Sequence, residues 1–256
     1  MSSSRFSLVG KVAIVTGSGR GLGRAIAKGM AEAGAAVVTT SRNAAEAQSA
    51  ADEIKQAGGR AISVRTYVSD PKACTALVER AVAEFGRLDI MACNAGIILT
   101  NPADKATQDE LEQTLKINVG GVMYCAQAAA RQMEKQGGGS IVVTSSNASL
   151  VAFPDLLTYN ISKGGVDMLV KTLAVEWAPR NIRVNAFNPG YLEHAMTRSE
   201  GYDSDPETEA AILRMTPMRR RGKVDEVVGV AIFLASDASS FMTGTVLPVD
   251  GGWCAL

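Results

Sequence analysis

The sequence holds a single histidine, His194, and four cysteines, Cys74, Cys93, Cys125 and Cys254, none of them in a C-x-x-C pair. A structural zinc site draws about four Cys or His ligands together at close spacing, so none is expected here. The scattered thiols read as reduced and packed. An excess of charge of either sign is also missing: Lys+Arg and Asp+Glu each total 26. That balance argues against a nucleic acid or membrane surface held by bulk electrostatics, while leaving room for a local basic pocket. Long apolar runs are absent too. The longest are strand-sized, short of the roughly 20 residues a membrane helix needs. Residues 1–7 lack the apolar centre of a signal peptide, and a cytoplasmic protein is the expectation. What remains is 46% hydrophobic and 20% charged over 256 residues, enough for a sizeable core.

The pattern alternates short apolar runs with amphipathic stretches, with no repeat and no linker. Residues 11–16 (KVAIVT) are apolar without alternation, as expected for a parallel strand covered on both faces. Leu22, Ile26, Met30 and Ala33 then recur at helical spacing. Further strands are expected at 36–40, 61–66, 88–92, 140–144, 182–187 and 245–249. Helices are expected at 44–57, 71–85, 110–135, 159–178 and 224–235, the 71–85 helix opening on Pro71. Repeated strand–helix units imply an α/β fold: one doubly wound parallel sheet with helices on both faces. The whole chain, 1–256, reads as a single domain.

Between the first strand and first helix lies Thr16-Gly17-Ser18-Gly19-Arg20-Gly21-Leu22-Gly23. Glycines there permit a tight turn and close approach of backbone to a pyrophosphate, which the helix N-terminus then attracts. At the end of the second strand a carboxylate would accept the ribose hydroxyls of NAD. This chain has Thr40-Ser41-Arg42-Asn43 instead. Arg42, with Arg20 from the loop, can pair with a 2′-phosphate, so NADP is expected, with NAD the alternative.

Tyr159-Asn160-Ile161-Ser162-Lys163 puts a phenol and an ammonium at i and i+4, on one helix face. A free phenol titrates near 10, and a neighbouring ammonium lowers that value toward working pH. Ser146 follows the fifth strand, at the end where parallel sheets bind ligands, and could hold a substrate oxygen. Asn118 is a polar residue within a helical pattern, which is mildly unfavourable without a purpose.

Together these motifs, with Asn94-Ala95-Gly96, Asn188-Pro189-Gly190 and Val249-Asp250-Gly251-Gly252, resemble the short-chain dehydrogenase/reductase family over nearly the whole chain. The resemblance implies a Rossmann fold and hydride transfer between a nicotinamide and a secondary alcohol or ketone. It assigns Tyr159 as acid/base, Ser146 as the group orienting the substrate oxygen, and Lys163 as the residue that lowers the tyrosine pKa and grips the nicotinamide ribose. Asn118 would keep a water-linked proton path to Lys163. The nucleotide would be held by Gly17, Ser18, Arg20, Gly21, Leu22 and Gly23, by Ser41, Arg42 and Asn43, and by Val68. The Asn94-Ala95-Gly96 turn, Tyr159, Lys163, Pro189, Gly190 and Leu192 would complete its site. The resemblance also implies a homotetramer. It extends to gluconate 5-dehydrogenases and to β-ketoacyl-carrier-protein reductases, which share these motifs, and to nucleotide-sensing regulators built on the same fold.

Two positions depart from the family pattern. Tyr67 stands before Val68 where an Asp usually contacts the adenine amine, and His194 stands where a Thr usually binds the nicotinamide carboxamide. A lid is expected at about 191–215, its second half a short helix with Asp205 as N-cap and Pro206 in the first turn. Tyr191, Glu193, His194, Arg198, Glu200 and Tyr202 would give it a polar and aromatic lining, suited to a small hydroxylated substrate such as a keto-sugar or sugar acid.

Overall fold

The computed structural model describes residues 5–195 and 206–255. It runs β1 (Val12–Thr16), α1 (Gly21–Glu32), β2 (Ala36–Ser41), α2 (Ala44–Gln56), β3 (Arg60–Arg65), α3 (Pro71–Phe85) and β4 (Ile90–Cys93). Then come α4 (Gln108–Leu115), a π-helical turn (Lys116–Gly120), α5 (Gly121–Lys135), β5 (Gly139–Thr144), α6 (Leu157–Trp177) and β6 (Ile182–Pro189). The described chain closes with α7 (Pro206–Met215), α8 (Val224–Ala235) and β7 (Val246–Val249).

All seven strands pair in parallel in the order β3-β2-β1-β4-β5-β6-β7. Alternate strand residues point to opposite faces, and both faces are covered. On one face Ile14, Met91, Ile141 and Val143 pack with Leu77 of α3, Ala129 and Met133 of α5, and Val166 and Val170 of α6. On the other, Ala13, Val15, Val37 and Val142 pack with Ile26 and Met30 of α1, Ile54 of α2, and Val227, Ala231 and Leu234 of α8. This is the doubly wound α/β sheet that the strand–helix alternation implies. The order reverses between β1 and β4, which opens a crevice at the carboxyl ends of those strands, the usual place for a ligand in such sheets.

The expectation of one continuous helix at 110–135 needs correction. The chain enters earlier, at Gln108, where Thr107 and Glu110 form a reciprocal capping box. It then passes through the π turn at Lys116–Gly120 before resuming as α5. One extra residue per turn there rotates α5 relative to α4 and places Asn118 inward, 1% exposed. Of the expected lid, residues 196–205 lie outside the described residues, and with them Arg198, Glu200, Tyr202 and the Asp205 cap. The helix expected after them is present as α7.

Candidate active site

The glycine loop, Ser146 and the turns after β2, β4 and β6 lie at the carboxyl edge of the sheet because each follows a parallel strand, and Asn118 and Lys163 are tied to that edge at Ile97 and Thr144. The glycine loop leaves β1 with Gly17 at φ +64° and Gly21 at φ +52°, the left-handed region that favours glycine. A Cβ added at Gly23 would lie 2.3 Å from the Gly17 carbonyl oxygen, and one at Gly17 would lie 2.9 Å from the Ala95 Cα. The loop is therefore clamped to the turn after β4. Asn94 Nδ2 donates to the carbonyl of Thr16 (3.1 Å), while Thr16 Oγ1 accepts from the backbone of Asn94 (2.9 Å) and Ala95 (3.0 Å). Ser18 is fully buried and ties the loop to β2, accepting from the Thr40 amide at 2.8 Å. Helix α1 then starts at Gly21 with Arg20 as its cap residue, no side-chain cap and no acid in the first turn. Its orphan amides and partial positive charge suit a pyrophosphate, so the cradle fits a dinucleotide.

At the end of β2 Arg42 is exposed, and Asn43 caps α2 by accepting from Ala45 N at 3.0 Å. Val68 packs beside Gly121, where an added Cβ would meet Val68 Cγ2 at 2.8 Å. Tyr67 is exposed and its ring stacks with the Arg65 guanidinium at 5.2 Å, whose Nη2 also donates to the Tyr67 hydroxyl. Arg65 Nε donates to the Arg42 carbonyl at 3.1 Å. Two groups here escaped the sequence reading: Arg65, and Glu46 of α2, whose Oε2 accepts from Ser41 Oγ at 3.2 Å and whose Oε1 lies 3.7 Å from Arg20 Nη1.

Ser146, Tyr159 and Lys163 come together between β5 and α6, all buried. Ser146 Oγ caps the short turn that follows it, accepting from Ala148 N at 3.1 Å. Burial pushes the Tyr159 phenol above its ordinary value, with Ser146 pulling the other way. Burial also pulls Lys163 down to about 8, opposed by Asp167 one turn further along α6. Lys163 Nζ lies over the Tyr159 ring, 5.5 Å from its centre, and donates to the Thr144 carbonyl at 3.0 Å. An ammonium has three donors, so two remain for a ligand.

Asn118 is bound on every side. Its Oδ1 accepts from Ile97 N (2.8 Å), and its Nδ2 donates to Ile97 O (2.9 Å) and to Ser162 Oγ (3.0 Å). Gly96 leaves room for it, an added Cβ there lying 3.2 Å from Asn118 Oδ1. With the side chain so occupied, any share Asn118 takes in a proton path falls to its backbone.

At the end of β6 Pro189 is buried, and Gly190 packs against Asp250, where an added Cβ would come within 2.8 Å of the Asp250 Cα. Leu192 is buried and bridges to Gly222. His194 is exposed, with φ +54°. Gly21 faces this segment, and a Cβ there would meet the Ala195 carbonyl oxygen at 2.3 Å. Tyr191 turns inward to a ring cluster, 5.8 Å from Phe153 and 5.2 Å from Trp253. These rings pack with Ala148, Leu156 and Tyr159 itself. The wall beside Tyr159 is thus more aromatic than the segment after β6 suggests, since Phe153 joins it from the turn before α6 and Trp253 from the far end of the chain.

Comparison with known proteins agrees with this geometry. The family model described as Enoyl-(Acyl carrier protein) reductase matches residues 17–254. The solved structure of a short-chain type dehydrogenase/reductase from Mycobacterium marinum superposes with TM-score 0.91 at 37% identity, covering 97% of each chain. The chain belongs to the short-chain dehydrogenase/reductase family. As a member it is an oxidoreductase. The gluconate 5-dehydrogenase of Burkholderia cenocepacia solved with NADP and tartrate matches with TM-score 0.95 and 37% identity over 100% of both chains. The versicolorin reductase of Emericella nidulans is 38% identical over 98% of both chains.

Proposed function

We propose that this protein interconverts a secondary alcohol and a ketone using NADP, on a small polar substrate such as a sugar acid. The observation that carries the reading is the burial of Ser146, Tyr159 and Lys163 together beside the glycine cradle. In the reductive direction the Tyr159 hydroxyl gives its proton to the substrate oxygen, which Ser146 holds in line. Lys163 supplies positive charge next to the phenolate so formed and directs its free donors to the ribose of the nucleotide. A nicotinamide held there would supply or accept the hydride. Gly17, Ser18, Gly21, Leu22 and Gly23 would hold the pyrophosphate, Arg20, Ser41, Arg42 and Asn43 the adenosine ribose and its phosphate, and Val68 the base. Asn94, Ala95, Gly96, Pro189, Gly190 and Leu192 would frame the nicotinamide half.

The relative crystallised with NADP and tartrate supports both the cofactor and a hydroxylated acid substrate. The Phe153–Tyr191–Trp253 wall favours a second reading, a ring-bearing ketone that would pack against these rings. NADPH consumption over a panel of keto-acids, keto-sugars, aromatic ketones and long acyl ketones tests these readings. Fastest reduction of a polar keto-acid or keto-sugar supports the first and of aromatic ketones the second. Binding without turnover on any would leave a regulator.

The protein is further proposed to be a cytoplasmic homotetramer. Among the described residues no helix is long and apolar enough to cross a membrane. Leu157, Ile161, Met168 and Val175 form an exposed apolar stripe on α6, with Met168 61% and Val175 78% exposed. An equivalent helix of a second copy would cover such a stripe.

A further inference from the structure

The end of β2 carries no acid, and the preference for a 2′-phosphate rests on that absence. The fold, however, returns a carboxylate to the same place from the first turn of α2. Glu46 Oε2 accepts from Ser41 Oγ at 3.2 Å, and Oε1 faces Arg20 Nη1 at 3.7 Å. The side chain lies directly over Gly19: a Cβ added there would lie 2.7 Å from Glu46 Cβ and 3.1 Å from Oε2. Glu46 therefore touches the glycine loop, the end of β2 and one of the two arginines assigned to the phosphate. Arg42, by contrast, is exposed and makes no ion pair among the described residues, its carbonyl alone being held by Arg65.

We propose that Glu46 sets the discrimination between a 2′-phosphate and a 2′-hydroxyl on the adenosine ribose, by engaging Arg20 and by presenting its own charge to the phosphate. This rests on the cofactor reading above and deepens it. A carboxylate at this position accepts from ribose hydroxyls and repels a phosphate, whereas the arginines do the reverse. The site holds both, so Arg42 draws NADP while Glu46 moderates the preference and keeps NAD admissible. Arg20 serves the phosphate only to the extent that it leaves Glu46.

Calorimetric titration of the whole protein with adenosine 2′,5′-bisphosphate and with 5′-AMP reads this without turnover. In Glu46→Gln, which keeps an acceptor for Ser41, the bisphosphate binds about two- to fivefold tighter, as expected for relief of a partly exposed charge, while 5′-AMP does not gain. Glu46→Ala shifts the ratio of the two affinities in the same direction. In an Arg20→Ala background the gain from Glu46→Gln shrinks, because part of it is the release of Arg20. An unchanged ratio in both Glu46 variants, or an equal gain for both probes, overturns the proposal while the cofactor reading stands. Wild-type protein that binds neither probe nor NADPH overturns the cofactor reading and this inference with it.

Discussion

Lys163 shows what a single buried charge costs the fold. Its ammonium titrates near 10.4 in an unfolded chain, but burial holds it at about 8 in the fold. Between those values the unfolded chain binds more protons, so its contribution to stability rises with pH through that window. Below pH 8 the full cost of burying the charge is present, on the order of 3 kcal/mol. Lys163→Met is therefore expected to be more stable than wild type at pH 7, with the difference closing toward pH 10 in parallel urea titrations. A difference that stays constant with pH would show that the buried charge is not its source. Arg42 invites a simpler test: Arg42→Ala should weaken NADPH by about tenfold, the worth of a charge-assisted contact, and leave NADH nearly unchanged in fluorescence titrations. Tyr159 and Lys163 were legible because helical spacing alone puts them on one face. Glu46 and Arg65 were not, because the return of α2 onto the glycine loop and the pairing of β3 with β2 bring them to the adenosine end.

Among the elements, α3 and α8 begin and end where the sequence places them, since Pro71 starts one and both carry clear apolar stripes. The turn between α4 and α5 did not show in the pattern. Apolar periodicity continues across it, and only Asn118 and the Gly120-Gly121 pair hint at a change. That turn is held by the Asn118 side chain, which joins the Ile97 backbone to Ser162 of α6. Asn118→Ala would strand those partners in a dry site. A loss of about 1–3 kcal/mol in unfolding free energy is expected for each buried group left unpaired, with a fall in turnover as α6 and the loop after β4 lose their common anchor. Unaltered stability would mean that the turn is held by its backbone alone. Gly23→Ala is expected to abolish nucleotide binding in the same fluorescence assay, because its Cβ would meet both the Gly17 carbonyl and Asn94.

At the scale of the whole molecule, the parallel sheet and the side on which its site lies follow from strand–helix alternation, while the aromatic wall beside Tyr159 depends on long-range folding that joins Phe153, Tyr191 and Trp253. The exposed stripe on α6 gives the assembly its own test: light scattering at micromolar concentration should find a tetramer, and a Val175→Glu, Met168→Glu double variant should shift it to smaller species. A wild-type monomer would contradict the proposed assembly. The account as a whole stands on proton transfer at Tyr159. Tyr159→Phe retains the ring, its packing and the neighbouring Lys163, and removes only the hydroxyl. The decisive measurement is steady-state turnover of this variant on the best ketone of the panel, alongside its NADPH affinity. The account predicts a loss of about 10²-fold or more in kcat with nearly unchanged NADPH binding. Turnover within about tenfold of wild type would contradict it, since a positioned general acid contributes more than that.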